Sequence, residues 1–164
     1  LEQPILLVLG DREHLARVQR HLLRVGLDNV GGYLRYGMRG WIEAGVSFER
    51  TPQMSIHELK ARLDRTADDL QLLDVRRDDE WEHGHIPGAR HIYAPHLDLI
   101  EHLDSLDPNK PIATYCGTGY RASIAASVLQ RHGFGHVYVV PGSMKAWERA
   151  AYPVDGLVAG ARSD

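Results

Sequence analysis

Residues 111–131 read Pro111-Ile112-Ala113-Thr114-Tyr115-Cys116-Gly117-Thr118-Gly119-Tyr120-Arg121, followed by Ala122-Ser123-Ile124-Ala125-Ala126-Ser127-Val128-Leu129-Gln130-Arg131. The first five residues predict a short buried strand. From Ala122 onward, apolar residues at Ile124, Ala125, Val128 and Leu129 recur at the spacing of one helix face. Cys116 to Arg121 therefore joins the carboxyl end of a strand to the amino end of a helix, and it carries the only cysteine of the chain.

At a helix amino end, unpaired backbone N–H groups and the helix dipole favour an anion, and two glycines let the chain curl so that several amides point inward. A thiol in such a cradle ionises more readily, with a pKa of roughly 3.5 to 7.5 in place of about 8.5. Arg121 adds a fixed positive charge. A buried structural cysteine ahead of a turn is the plainer alternative. The order of strand, loop, arginine and helix favours an activated nucleophile instead.

Three further segments extend the pattern. Leu72-Leu73-Asp74-Val75-Arg76 predicts a buried strand ending in a charge pair, and Glu80-Trp81-Glu82-His83-Gly84-His85-Ile86-Pro87-Gly88-Ala89 follows it. Late in the chain stands Pro141-Gly142-Ser143-Met144-Lys145-Ala146-Trp147. With the cysteine loop, these four motifs, in this order between about Met54 and Val154, resemble the rhodanese family. The resemblance implies an α/β fold, a rhodanese-like central parallel sheet with helices on both faces. It implies that Cys116 is the nucleophile and persulfide carrier, that the amides of Gly117, Thr118, Gly119, Tyr120 and Arg121 line the pocket, and that Arg121 helps to hold an anionic donor. Asp74 and Arg76 match the family's aspartate-x-arginine element and are expected to support the architecture, as are Gly84, His85, Pro87 and Gly88 in the turn motif.

The activity implied is transfer of a sulfane sulfur from thiosulfate or a persulfide to a thiol or cyanide acceptor. An alternative is a non-catalytic carrier or docking module. Phosphatases related in fold place five residues between cysteine and arginine, whereas four intervene here, which disfavours a phosphatase or arsenate reductase. A cysteine protease would need a histidine base against the thiol, and the sequence places none. The family commonly has paired glycines in the late motif and a glycine before the final proline. This chain has Gly142-Ser143 and Ala151-Tyr152-Pro153, a departure expected to touch local backbone and not chemistry.

The 164 residues, 43% of them hydrophobic, suffice for about one domain core, and the net charge of −3 offers no basic surface for nucleic acid. A single cysteine excludes an intrachain disulfide and points to a reducing, cytoplasmic setting. No apolar run approaches the ~20 residues that span a bilayer. The partners expected are small sulfur donors and thiol acceptors, with no nucleic acid and no membrane. His83, His85, His91 and His96 cluster in sequence, but two belong to the turn motif and no helical His-x-x-x-His pair occurs, so no metal is expected. No cofactor is expected either: Gly117 and Gly119 lack the third glycine of a dinucleotide loop. Trp41, Trp81 and Trp147 read as core or cap residues.

The chain also resembles itself. With Pro4 on Pro111, Gly10 falls on Gly117, Leu22 on Leu129, Arg24 on Arg131, Gly26 on Gly133 and Val30 on Val137. After a one-residue gap, Met38 falls on Met144 and Trp41 on Trp147. Residues 1–50 thus read as the second half of a degenerate rhodanese-like domain, with Leu9 at the place of Cys116 and His14 at that of Arg121. Residues 51–164 read as the complete domain. The first half of the earlier copy is not in the sequence, so the chain reads as a fragment. Its arrangement resembles the tail of fusions in which a metallo-β-lactamase-like hydrolase, similar to persulfide dioxygenases, precedes one degenerate and one active rhodanese domain. That resemblance implies a hydrolase domain on the same full-length chain. At the boundary, Ser55-Ile56-His57-Glu58 has capping-box spacing for a helix through Leu63. Asp64 to Asp69 reads as a charged loop, and the segment after Asp155 as a fraying tail.

Overall fold

The computed structural model describes residues 3–66, 69–97 and 100–156, and the chain divides into two compact units, Leu1–Glu49 and Arg50–Asp164. The larger unit holds a four-stranded sheet in the spatial order Arg90–His91, Gln71–Asp74, Ile112–Tyr115, Val137–Val139. Its strands are β3 (Gln71–Asp74), β4 (Arg90–His91), β5 (Ile112–Tyr115) and β6 (Val137–Val139), and every pair runs parallel. Gln53 adds a parallel bridge to Val139 at the far edge.

Alternation along the strands divides the core into two layers. Leu73, Val75, Ile112, Val137 and Val139 pack on one face with Ala122, Ala125, Ala126 and Leu129 of α6 (Tyr120–Arg131). Leu72, Ala113 and Tyr115 pack on the other with Ile56 and Leu59 of α3 (Ile56–Thr66) and Met144 and Trp147 of α7 (Ser143–Arg149). Helices therefore cover both faces of a parallel sheet, as the strand pattern requires. Trp147 is 1% exposed and donates from Nε1 to Pro153 O at 2.7 Å, so its large apolar body is buried with its one polar atom satisfied.

Two helices differ in detail from expectation. On α6 the buried stripe is Ala122, Ala125, Ala126 and Leu129, while Ile124 is exposed. The small alanines let the helix lie close on β5 and β6, and this docking selects a face one position away from the one that periodicity alone favours. On α3 the capping box forms, with Glu58 N–H donating to Ser55 Oγ and Ser55 N–H to Glu58 Oε2. The helix then runs three residues past Leu63, because Lys60 pairs with Asp64 at 2.6 Å across one turn and Arg65 Nε caps Ala61 O. Asp64 is thus helical, and the rest of the expected charged loop is partly outside the described residues. So is most of the expected fraying tail after Asp155, of which only Gly156 is described.

The smaller unit contains β1 (Ile5–Val8), α1 (Leu15–Arg24), β2 (Val30–Leu34) and α2 (Gly37–Glu43), the strand-helix-strand-helix order also followed by β5, α6, β6 and α7. β1 and β2 pair in parallel, and their register slips between Ile5↔Val30 and Leu6↔Gly32. Gly31 is the residue left over in this pairing. Leu6, Val8, Leu23, Val25, Met38 and Ile42 are all exposed, so this unit buries little of its own apolar surface.

Candidate active site

A ladder of carbonyl-to-amide bonds shapes the Cys116 loop. The carbonyls of Cys116, Gly117 and Thr118 accept from the amides of Met144, Lys145 and Gly142 at 2.9, 3.2 and 3.2 Å. With the carbonyls turned toward residues 142–145, the loop amides face the sulfur, and Gly119 N–H reaches Cys116 Sγ at 3.1 Å. Gly119 sits at φ 117, a backbone region that only glycine enters freely, and it forms the N-cap of α6. Cys116 itself is 1% exposed. Burial pushes its thiol up, but the amides of Ala122, Gly119, Thr118 and Arg121 together bring it below its ordinary value. The amides around the sulfur include that of Ala122, which the sequence reading did not assign. The side chain of Tyr120 is 76% exposed at the loop surface, and Thr118 is exposed as well.

Arg121 does not stand free beside the thiol. Its Nη1 and Nη2 donate to Glu80 Oε2 and Oε1 at 2.6 and 2.8 Å. That pairing lowers the Glu80 carboxyl and raises the guanidinium further. Glu80 sits in α4 (Asp78–Glu82), immediately after β3, and β3 is the sheet neighbour of β5. A half-buried arginine after β5 calls for a carboxylate after an adjacent strand, a signal that was present in Asp78-Asp79-Glu80 once the sheet order is known.

Ser143 is the second residue that sequence reasoning missed. Its Oγ accepts from Cys116 N–H at 3.1 Å and donates to Val140 O at 2.7 Å, so the hydroxyl satisfies the backbone of the nucleophile itself. The departure from paired glycines thus reaches the thiol's own residue, contrary to the expectation that it would stay with distant backbone. It lies next to the loop because β6, which precedes it, pairs with β5. Ser143 and Ala151 are also the two non-glycine residues at positive φ among those described, 49° and 53°.

Asp74 and Arg76 act as supports. Asp74 is 0% and Arg76 5% exposed. Arg76 Nε and Nη2 donate to the carboxylate at 2.9 and 2.6 Å, and Nη2 also donates to Gly84 O at 2.6 Å. The pair ties the end of β3 to the turn motif, where Ile86 N–H donates to the buried Tyr115 hydroxyl. His85 stacks on Trp81 with ring centroids 3.4 Å apart and contacts Trp81 O, and His91 Nε2 bonds Arg76 O at 2.8 Å. These imidazoles are occupied by packing and backbone. Among the described residues no group of three histidine, cysteine, aspartate or glutamate side chains is placed to hold a metal ion, and no helix is long and apolar enough to cross a membrane.

A parallel α/β sheet with helices on both faces, presenting its cysteine from the loop after the central strand β5, is the arrangement that the comparisons address. The sequence profile of the rhodanese-like domain matches residues 55–150, more than half of the chain, and the chain belongs to the rhodanese family. A Bacillus subtilis protein provisionally named as a sulfur carrier, YrkF, is 33% identical over 75% of this chain and 65% of its own length. Thiosulfate sulfurtransferase GlpE of Pseudomonas paraeruginosa is 31% identical over 52% of this chain and 74% of its own. The solution structure of the rhodanese-like domain of the Anabaena protein Alr3790 superposes with a TM-score of 0.60 at 29% identity, covering 70% of this chain and 89% of that one. The chain spans about two thirds of the length of the first of these relatives.

Proposed function

We propose that the protein is a sulfurtransferase that carries a sulfane sulfur on Cys116. The observation that carries this reading is Gly119 N–H reaching Cys116 Sγ at 3.1 Å in a loop with four residues between cysteine and arginine, whose amides hold the thiol below its ordinary pKa. The Cys116 thiolate attacks the outer sulfur of the donor. A new S–S bond forms while the donor's S–S bond breaks, and sulfite leaves thiosulfate, or a thiolate leaves an organic persulfide, with the bonding electron pair. The persulfide on Cys116 takes the place of the thiolate before the same amides, and a thiol or cyanide acceptor then removes its outer sulfur.

The test is to incubate the protein with thiosulfate or with glutathione persulfide, and to measure the intact mass for one added sulfur. Cyanide is then added and thiocyanate assayed, with Cys116→Ser as control. Absence of sulfur on Cys116 with both donors, or equal thiocyanate from the serine variant, sinks the reading. Sulfur loading without turnover to small acceptors supports a carrier role, which the name of the Bacillus subtilis relative favours. Phosphate release from an aryl phosphate would favour the phosphatase reading.

We further propose that the smaller unit is the second half of a degenerate copy of the same domain. What supports this is a set of matched backbone bonds. Ile5 N–H donates to Asn29 O as Ile112 N–H does to His136 O, and Leu27 N–H donates to Leu22 O as Phe134 N–H does to Leu129 O. Past Gly31 the match resumes one residue earlier: Val46 N–H donates to Trp41 O as Tyr152 N–H does to Trp147 O.

A further inference from the structure

Arg121 directs one N–H of each terminal nitrogen at Glu80, in the bidentate fork that is the strongest arrangement between these groups. The two side chains are 30% and 26% exposed. The pair lies against the sulfur loop: a Cβ built on Gly117 would come 3.5 Å from Arg121 Nη2 and 3.8 Å from Glu80 Oε1. On its other side Glu80 Oε2 accepts Arg77 N–H at 3.3 Å and stands 3.7 Å from Arg77 Nε, whose shorter contacts are with Asp79. The formal charges joined by these contacts are one negative on Cys116, one positive on Arg121, one negative on Glu80 and the opposed pair Arg77 and Asp79, a net of one negative. Thiosulfate would add two more negative charges to a site whose Arg121 charge is already shared between Glu80 and the Cys116 thiolate. The protonated form of an alkyl persulfide adds none.

We propose that Glu80 selects the sulfur donor, and that the loop is built to receive sulfur from a low-charge organic persulfide in preference to an inorganic dianion. This rests on the sulfurtransferase reading. In the favoured step the Cys116 thiolate attacks the outer sulfur of R–S–SH. A new S–S bond to Cys116 forms as the S–S bond between R–S and that sulfur breaks, R–S⁻ leaves with the electron pair, and the proton stays on the transferred sulfur, so no external oxidant or reductant enters. Glu80 acts here as a positioning and charge-setting residue, since it touches Arg121 and not the reacting sulfur.

The experiment measures second-order rates of sulfur loading on Cys116 by intact mass, with thiosulfate and with the persulfide of 2-mercaptoethanol, whose organic part carries no charge, in the parent protein and in Glu80→Gln and Glu80→Asp. Glutamine keeps the size and one acceptor but removes the charge. It is expected to shift the rate ratio toward thiosulfate by about tenfold, the scale of one unit charge acting across a partly hydrated site. Aspartate keeps the charge and is expected to hold the parent ratio. Added salt is expected to speed thiosulfate loading of the parent and to have little such effect on Glu80→Gln. A ratio within about twofold of the parent in Glu80→Gln overturns the proposal, as does an equal shift in both variants. If Glu80→Gln does not fold, salt that slows or leaves unchanged the parent's thiosulfate loading overturns it. Failure of both donors to load the parent instead refutes the sulfurtransferase reading.

Discussion

The loop after β5 and the loop after β1 occupy the same place in the same strand-loop-helix unit, and they treat their helix amides in opposite ways. After β5, Gly119 turns through φ 117 and the amides converge on Cys116 Sγ. After β1, Arg12 stands at the place of Gly119 and the chain instead makes the 3₁₀ turn Arg12–His14, with Asp11 Oδ1 accepting Glu13 N–H at 2.9 Å. One loop leaves its amides for a sulfur anion, and the other supplies a carboxylate of its own to satisfy an amide. On the proposal that the smaller unit is a degenerate copy, leucine in place of the thiol at Leu9 is thus only part of the change, and a self-capped turn stands where the cradle would be.

The largest expected effect follows from moving the thiol between the loops. In a Leu9→Cys, Cys116→Ser double variant, sulfur loading should fall by at least about a thousandfold, because a thiol without converging amides lacks the stabilised anion. Intact mass after donor treatment measures it, and appreciable loading of the thiol introduced by Leu9→Cys would break the distinction between the two loops. Alkylation by iodoacetamide against pH supplies the sign. Cys116 has a lowered pKa, so its thiolate persists and reacts as pH falls below the ordinary thiol range of about 8.5, and is lost only on passing through the lowered value. The introduced thiol, with no such cradle, should already be losing reactivity near an ordinary pKa of about 8.5.

The second difference is what holds each unit together. The larger unit buries an ion pair, Asp74 with Arg76, together with two apolar layers, and the smaller one has no buried counterpart among its described residues. Arg76→Met would leave a carboxylate at 0% exposure without its partner, which costs about 3–5 kcal/mol. Urea unfolding of the parent and the variant checks this. Hydrogen exchange assigns the loss: amides of β3 and β5 should lose protection, while those of β1 and β2 keep their own, lower protection.

The third contrast sits where each unit's second strand turns into its last helix. Gly37 and Ser143 correspond, at φ 53 and 49. A Cβ on Gly37 would come 2.3 Å from Leu9 O, so glycine is obligatory there. The corresponding turn in the larger unit accepts a Cβ and uses the attached hydroxyl on Cys116 N–H. Strain tolerated beside a nucleophile in return for a specific bond is the pattern of a functional site. Ser143→Ala keeps the strain and strands that amide, and should destabilise by about 1–3 kcal/mol in urea titration while slowing sulfur loading. Ser143→Gly strands the amide but relieves the strain, and should cost less. A larger loss from glycine than from alanine would show that the hydroxyl is not what keeps serine in place.

Much of this architecture could be read along the chain, because the relevant physics is local. The alternation of β5, the glycine curl after Cys116 and the Ser55–Glu58 capping box each lie within a few residues. Glu80 and Ser143 could not be read in the same way. They meet the loop only through the pairing of β3 and β6 with β5, from 41 and 27 positions away in sequence. Ile124 failed for a related reason: its spacing fits a buried face, but packing on β5 and β6 selects the alanine face. The end of α3 at Thr66 depended on an i,i+4 ion pair, which extends a helix beyond its apolar pattern.

The smallest effect probes the turn that closes each unit's last helix. Gly45 and Ala151 correspond at φ 68 and 53, both are exposed, and their amides donate to Ile42 O and Glu148 O at 3.0 and 2.9 Å. The left-handed conformation costs a non-glycine residue about 1–2 kcal/mol. Replacing alanine by glycine returns about 0.4–1 kcal/mol of that through the freer unfolded chain. The strain is the larger quantity, so Ala151→Gly should stabilise the larger unit by about 0.5–1 kcal/mol, seen as a higher urea midpoint at unchanged slope. Gly45→Ala meets no atom within 4 Å and should destabilise the smaller unit by a similar amount, read from hydrogen exchange of β1 and β2. Opposite shifts of matched size would mean that the two turns are energetically the same motif. If Ala151→Gly is instead neutral, the alanine is supported by something its counterpart lacks, and the correspondence of the two units ends before this turn.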